Sequence, residues 1–397
     1  MKFTVIGISD SQSPTLNTEA MDAIKDGKVF SGGIRHHSII GKMLPADSEW
    51  IDIKPPLDNV FELYKKHGEV VVFASGDPLF YGFANTIIRK LPDAELKVIP
   101  YFNSLQSLAH RLVLPYNDMV CVSLTGRDWH GFDQAVMEGH KMIGILTDGN
   151  HSPDTIASRL MEYGYDHYRL HVGEHLGNKE EENIRTLTAA EAATTSFLQP
   201  NAVIITGVRP RRQYGIPDDS FELLDSRKKM ITKMPIRLLS LQAMDLNSKC
   251  VFWDIGFCTG SISIEARRMY PHLHVEAFEQ RPECEEIIKA NSRLHGTPGI
   301  GIHIGDFLLA DCESIASKSG MPDAVFVGGH GGKLKEIMSK AVKFLSPGGC
   351  IVMNSVSESS KAMFEEVCPT LGLHMHPPMR IVLDNYNPIE ILKCELQ

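Results

Sequence analysis

Val251-Phe-Trp-Asp-Ile-Gly-Phe-Cys-Thr-Gly260 runs directly into Ser261-Ile-Ser-Ile-Glu-Ala-Arg-Arg-Met-Tyr270. The first five residues read as a buried strand, a glycine turn follows, and apolar residues then recur at helical spacing. Strand, glycine turn and helix in that order form a nucleotide-binding turn, because glycine accepts positive φ and lets ligand atoms approach the backbone. Outward from this stretch, short apolar runs alternate with helical segments to both ends of the chain, which predicts an α/β protein of parallel sheets and crossover helices. In the first half the strands are expected at Thr4–Ile8, Val70–Ala74, Leu96–Tyr101, Val120–Leu124, Met142–Leu146, Tyr168–Val172 and Ala202–Val208. In the second they are expected at Val251–Ile255, His274–Phe278, Ile300–Ile304, Asp323–Val327, Cys350–Asn354 and, with no helix between them, Met379–Leu383 and Ile389–Cys394.

Prolines, a glycine and clustered charge place a linker at 209–230, between units at 1–208 and 231–397. Arg209, Arg211 and Arg212 read as solvated residues of that linker. No repeat relates the halves, so two different folds are expected. A chain of 397 residues is long enough for two or three cores. No apolar stretch approaches the roughly 18 residues of a membrane span, and the N-terminus has no apolar h-region with a small-residue cleavage site. A cytoplasmic protein without a membrane partner is expected. The net charge of −9 argues against a nucleic-acid partner. The eight cysteines are scattered without a CxxC pair, which offers neither a disulfide framework nor a metal site.

A dinucleotide fingerprint would want glycine at 258, where backbone meets pyrophosphate, but Cys258 stands there. S-adenosylmethionine, which has no pyrophosphate, suits the turn better. The second strand ends at Glu279, about 20 residues past Gly260, where a carboxylate can accept from both ribose hydroxyls. The third ends at Gly305-Asp306-Phe307, placed to bracket an adenine. After the fourth comes Pro322-Asp-Ala-Val-Phe-Val-Gly-Gly-His-Gly-Gly332 rather than the Asn/Asp-Pro-Pro-Tyr of enzymes that methylate base amino groups. A glycine loop of this kind offers backbone N–H groups to carboxylates.

Ile231-Thr-Lys233 with Arg237, Trp253-Asp-Ile-Gly-Phe-Cys-Thr-Gly-Ser261, Asn291, Val327-Gly-Gly-His-Gly-Gly332 and Leu345-Ser-Pro-Gly-Gly349 resemble the decarboxylating precorrin methyltransferases of cobalamin biosynthesis, over nearly all of 231–397. The resemblance implies a Rossmann-like seven-stranded methyltransferase fold. With the strand-end reading it puts S-adenosylmethionine against Thr232, Asp254, Gly256, Gly260, Glu279, Asp306 and Phe307. Cys258 and His330 depart from the glycine and serine common in that family.

In the first half, Val5-Ile-Gly7, Ser31-Gly-Gly-Ile-Arg-His-His37, Ser75-Gly-Asp-Pro-Leu-Phe-Tyr-Gly82 and Val122-Ser-Leu-Thr-Gly-Arg127 together resemble the tetrapyrrole methylase superfamily, and within it the precorrin C5-methyltransferases. This resemblance spans about 2–208 and implies a two-lobed fold with the cofactor against Gly76, Asp77, Phe80, Asn103 and Ser104. Ser9 stands where the first loop of the family has a second glycine, and Asn103 where it has serine. Both halves in this order are similar to the fused precorrin-6Y C5,15-methyltransferases (decarboxylating). That similarity implies methylation at C5 by the first half, and methylation at C15 with loss of the C12 acetate carboxyl by the second. A homo-oligomer built through the C-terminal half is implied as well. The alternatives are another tetrapyrrole substrate, or a first half that only binds product.

A reduced tetrapyrrole carries nucleophilic enamine-like carbons and many carboxylates, so orientation, desolvation and local cations are the chemistry to look for. Arg35, His36, Lys233 and Arg237, with the Gly329 and Gly331 backbone, are the candidate substrate contacts. Each of the cations could equally be ordinary surface charge. His330, the only titratable group inside the glycine loop, is the candidate for proton transfer, against a loop side chain facing water. His374 and His376, spaced as on one face of a strand, read as structural.

Overall fold

The computed structural model describes residues 1–208, 214–224, 231–383 and 387–396. Arg209, Arg211 and Arg212 lie outside the described residues. The chain divides into two compact units, Met1–Arg127 with His140–Arg159 and Asp166–Val208, and Asp128–Gly139 with Leu160–Tyr165 and Arg209–Gln397. Among the described residues no helix is long and apolar enough to cross a membrane.

The first unit holds two sheets. β1 (Lys2–Ile8), β2 (Val29–Gly32), β3 (Glu49–Asp52), β4 (Glu69–Ser75) and β5 (Glu95–Ile99) are all parallel, in the order β3-β2-β4-β1-β5. Successive side chains of a strand point to opposite faces. Phe3, Val5, Val70 and Val72 accordingly pack with Tyr64 on one face, and Ile6, Ile8, Val71 and Phe73 with Phe30 on the other. Both faces are covered, which is why β1 and β4 read as continuous apolar runs. β2 and β3 escape such a reading because each is only four residues long.

The second sheet, of β6 (Val120–Ser123), β7 (Met142–Leu146), β8 (Arg169–Glu174), β9 (Asn183–Thr188) and β10 (Asn201–Thr206), has the order β6-β7-β10-β8-β9. Only β6 and β7 are parallel; β10 is antiparallel to β7 and β8, and β9 to β8. This corrects the expectation of parallel sheets throughout. The chain between β8 and β9 is too short for a crossover, so the two must return as a hairpin.

In the second unit β11 (Val251–Ile255), β12 (His274–Glu279), β13 (Ile300–Ile304), β14 (Ala324–Val327), β15 (Cys350–Ser355), β16 (Leu373–Met375), β17 (Met379–Ile381) and β18 (Ile389–Leu396) build one sheet. Its path is β13-β12-β11-β14-β15-β18-β16, with β17 pairing β18 off the path. β13 to β15 are parallel, and β18 is antiparallel to β15, β16 and β17. The edge strand is thus β16, three residues too short to show a pattern, and the expected Met379–Leu383 strand is the shorter β17 beside it. Residues 214–224, expected in the linker, belong to this unit. Ile216 and Phe221 join the core cluster of Phe257, Ile264 and Ile288, and the Gly215 and Ile216 N–H groups donate to Glu265 at 3.1 and 2.9 Å.

Candidate active sites

In the second unit the chain leaves the carboxyl ends of the neighbouring strands β11 and β14 in opposite directions, which opens a crevice above them. Gly256 turns there with φ of 82°, and a Cβ on it would stand 2.8 Å from the Gly329 nitrogen. The Gly328 N–H donates to Ile255 O at 2.8 Å. The two glycine turns therefore lie backbone on backbone, and the crevice widens into a cavity of about 1020 Å³. Thr232, Lys233, Asp254, Gly256, Glu279, Asp306, Phe307, Gly329, His330 and Gly331 all line it.

Asp254 is the penultimate residue of β11, just below the turn. Ser263 donates to its Oδ2 from both hydroxyl (2.6 Å) and N–H (3.2 Å), whereas Oδ1 is buried with no hydrogen-bond partner. Burial, helped by the Glu279 charge, pushes the pKa of Asp254 up to about 7 against the pull of the Ser263 bonds. Glu279 closes β12 and is 4% exposed. It accepts from the Cys258 N–H at 3.0 Å and from Arg281 N–H, Nε and Nη2 at 3.2, 2.9 and 2.8 Å. Burial works to raise its pKa, but the Arg281 hydrogen bond and charge and the backbone donors outweigh it and hold the carboxyl below its ordinary range. Cys258, whose N–H makes that bond to Glu279, sits in the left-handed region at φ 54°, which disfavours a side chain by about 1 kcal/mol.

Asp306 caps Leu308 N–H at 2.9 Å and accepts from Lys333 Nζ at 3.0 Å, and both lower its pKa. Phe307 stands edge-on to Phe278, ring centres 5.1 Å apart. His330 Nδ1 accepts from Gly332 N–H at 3.2 Å, which leaves the proton on Nε2, 3.2 Å from Ser360 Oγ. Neither ring nitrogen is simply given to water. Among the described residues the Gly329 and Gly331 N–H groups make no hydrogen bond.

Two expected site residues lie elsewhere. Gly260 is off the cavity wall; it starts the helix Ser261–Met269, its N–H bonds Phe257 O at 2.9 Å, and a Cβ on it would meet Ile288 at 2.4 Å. Arg237 is 0% exposed. It donates to Asp218 at 3.0 Å, Thr232 O at 2.7 Å, Glu265 at 3.3 Å and Ile216 O. A buried guanidinium needs all its partners inside the fold, so Arg237 positions the segment before its helix and cannot meet a substrate. The cavity wall also carries Arg281 and Lys333, which the sequence reading missed although each stands within two residues of a strand-end or loop residue it had found.

In the first unit the corresponding crevice lies at β1 and β4, whose connections run to opposite sides of the sheet. A Cβ on Gly7 would stand 2.0 Å from Gly76 O and 2.7 Å from Tyr101 N, and one on Gly76, at φ 62°, 2.8 Å from Asn103 Cα. The loops after β1, β4 and β5 converge there. Asp77 accepts from Leu79 N–H at 2.9 Å, and Asn103 caps the helix Ser104–Leu112 through a reciprocal pair with Gln106. Phe80 packs on the Leu105, Leu108 and Ile204 cluster of the second sheet.

Arg35 donates to Asp10 Oδ1 at 3.0 Å and to Ser75 Oγ at 2.8 Å. His36 accepts from Gly33 N–H at 3.2 Å through Nδ1 and meets Ser75 Oγ at 2.9 Å through Nε2. Burial first, then the Arg35 charge, lower the His36 pKa to about 4, with Asp10 opposing. His36 is therefore neutral near pH 7 and stands beside Ser75 and Arg35 at the mouth of this crevice. Around these polar groups the loops leave Ile34, Leu79, Tyr81 and Phe102 exposed, Ile34 at 79% and Phe102 at 54%.

Comparison with known proteins matches two consecutive parts of the chain. The profile of tetrapyrrole (corrin/porphyrin) methylases matches residues 2–193, and that of the precorrin methyltransferase domain matches 223–390. A Sinorhizobium protein named precorrin-6Y C(5,15)-methyltransferase [decarboxylating] is 30% identical over 377 residues, 93% of this chain and 88% of its own. The cobalt-precorrin-7 C(5)-methyltransferase of Salmonella typhimurium is 27% identical over 217 residues, 52% of this chain and all of its own length. The cobalt-precorrin-6B C(15)-methyltransferase (decarboxylating) of that organism is 33% identical over 130 residues, 33% of this chain and 64% of its own. The agreement with the Sinorhizobium protein covers 93% of the chain and so reaches both units, and the chain belongs to the precorrin-6Y C(5,15)-methyltransferase (decarboxylating) family.

Proposed function

We propose that this chain methylates a precorrin or cobalt-precorrin at C5 in its N-terminal unit (1–208) and at C15 in its C-terminal unit (231–397), and removes the C12 acetate carboxyl in the latter. The observation that carries this is an alignment with the Sinorhizobium relative over 93% of the chain. S-adenosylmethionine supplies the methyl group at each site as a sulfonium-bound electrophile.

The residues of the C-terminal cavity suit that cofactor. Asp254 Oδ1, buried and without a partner, offers an acceptor to the cofactor's ammonium. Glu279, kept ionised by Arg281, has acceptor capacity for the ribose hydroxyls, and Phe307 gives the base an apolar wall. Thr232, Gly256 and Asp306 complete this side, while Gly260 acts through the turn alone. Toward the substrate, the Gly329 and Gly331 N–H groups, Lys233 and Lys333 meet carboxylates. In the N-terminal unit the backbone at Gly76, Asp77, Asn103 and Ser104, with Phe80, holds the cofactor. The exposed apolar side chains there form a shelf for a macrocycle, and Arg35 faces its carboxylates.

His330 is the residue for the decarboxylation. Breaking the carbon–carboxyl bond leaves its electron pair in the conjugated macrocycle, and the carbon left behind takes up a proton. With Nδ1 held by Gly332, Nε2–H is the imidazole's donor. The His330→Ala variant should slow carbon dioxide release more than methyl transfer, whereas His330→Ser retains methylation. Mass spectrometry of the product reads both events, with metal-free and cobalt-containing substrates compared side by side. Equal rates of both steps in wild type and His330→Ala would leave His330 a loop residue tied to Ser360. The family likeness further supports a cytoplasmic homo-oligomer joined through the C-terminal unit, and a monomeric mass by light scattering at micromolar concentration would refute the association.

A further inference from the structure

The N-terminal unit contains a carboxylate–imidazole pair that no sequence motif marks. Asp10, two residues beyond β1, is 9% exposed, and its Oδ2 lies 3.1 Å from His175 Nδ1. The other oxygen, Oδ1, accepts from Arg35, which secures the orientation of the carboxylate. Because a carboxylate only accepts, His175 Nδ1 must carry a proton, and in the neutral ring Nε2 is then the lone-pair nitrogen. The His175 side chain is 17% exposed, and among the described residues no hydrogen bond to its Nε2 is found.

His175 also holds the backbone in a conformation a side chain rarely adopts, with φ 48°. Its N–H bonds Pro200 O at 2.9 Å, and a Cβ on Gly177, two residues on, would stand 3.2 Å from Ser9 Cβ. The loop after β8 is therefore pressed against the loop after β1, beside the crevice where Gly7, Gly76 and Asn103 converge. Strained residues of this kind concentrate at functional sites. The charged groups around the ring are Asp10, Glu181 at 3.6 Å, Arg35 behind Asp10, and the Arg111–Glu182 pair, whose Glu182 accepts from Gly177 N–H at 2.6 Å.

We propose that His175, held by Asp10, is the proton acceptor of the N-terminal methyl transfer. This rests on the C5 reading above. A new C–C bond forms at the ring carbon as the S–CH₃ bond breaks with its electron pair going to sulfur. The macrocycle thereby gains one positive charge and must release one proton to restore its conjugation. That proton passes to His175 Nε2 and from there to water.

The test uses the full chain with S-adenosylmethionine and a tetrapyrrole substrate, scoring C5 and C15 methylation separately by mass and NMR of the product. His175→Asn keeps a residue that tolerates positive φ but lacks a basic nitrogen. It should lose about 100-fold or more in C5 rate, the ordinary worth of a general base. It should also lose the acid limb of the C5 pH–rate profile, while C15 transfer and S-adenosylhomocysteine binding to the N-terminal site stay unchanged. Nitrogen-15 NMR should show His175 as the Nδ1–H tautomer in wild type, and Asp10→Asn should disturb that tautomer and slow C5 transfer without lowering the melting temperature. A wild-type C5 rate or a retained acid limb in His175→Asn, or an Nε2–H tautomer in wild type, overturns the assignment. Loss of cofactor binding in step with C5 rate overturns it too, by making the pair a clip between loops. A wild-type chain that methylates C15 and not C5 overturns the C5 reading itself, and the assignment with it.

Discussion

Replacing Asp254 by Asn tests the C-terminal cofactor site through its electrostatics. Burial raises this carboxyl to about 7 from an ordinary 3.8. At about 1.36 kcal/mol per pKa unit, the ionised form disfavours the ligand-free fold by about 4 kcal/mol, an upper figure because a buried carboxylate also recruits water. A carboxyl whose folded pKa lies above its unfolded value gives full stability below pH about 4, loses it progressively between about 4 and 7, and stays at the reduced level above. Asn keeps the acceptor for Ser263 and removes the charge, so its advantage over wild type should grow by about 2 kcal/mol or more between pH 5 and pH 8. For a unit of this size that is about 5 °C in the melting temperature. Scanning calorimetry of the ligand-free chain at the two pH values measures it. With S-adenosylhomocysteine the order reverses: at pH 8 wild type has a carboxylate for the ligand's ammonium and should bind at least about 10-fold more tightly than the variant, the lower end of a charged hydrogen bond. A melting difference that is the same at both pH values would refute the burial argument, and equal affinities would refute the pairing with the ammonium.

Glu279→Ala should weaken S-adenosylhomocysteine at the C-terminal site by about 1.5–3 kcal/mol and leave the N-terminal affinity unchanged in titration calorimetry; loss at both sites would show that they are coupled. Gly7→Ala would place a Cβ 2.0 Å from Gly76 O, backbone against backbone. The calorimetric stoichiometry should then fall from two ligands per chain to one with C15 methylation intact, and retention of both sites would mean that the loops can separate.

Strands buried on both faces, such as β1, β4, β11 and β14, are legible in the sequence because water is excluded from both sides and an uninterrupted apolar run results. β2, β3 and β16 are too short to establish a period, and β9 alternates with polar residues on a half-exposed edge, so none of these announced itself. Strand direction was likewise hidden in the second sheet, since pairing depends on loop length and on which neighbours a strand meets. At the sites, the glycine turns and the strand-end acids Asp254, Glu279 and Asp306 were readable because their position is set within a few residues of a strand. Arg237 was misplaced because the same side chain serves a buried network or an open pocket depending on what folds over it.

By itself the sequence determined two α/β units of different fold, their order, and the strand-end loops that form the crevices, all consequences of local pattern. Only the tertiary structure decided which cations are spent inside the fold, that Asp254 Oδ1 is left without a partner, that Glu279 is answered by Arg281, and that Asp10 meets His175 across 165 positions of chain. Such pairings follow from the packing of distant segments, and the burial that packing produces sets whether a polar group is satisfied, charged or available to a ligand.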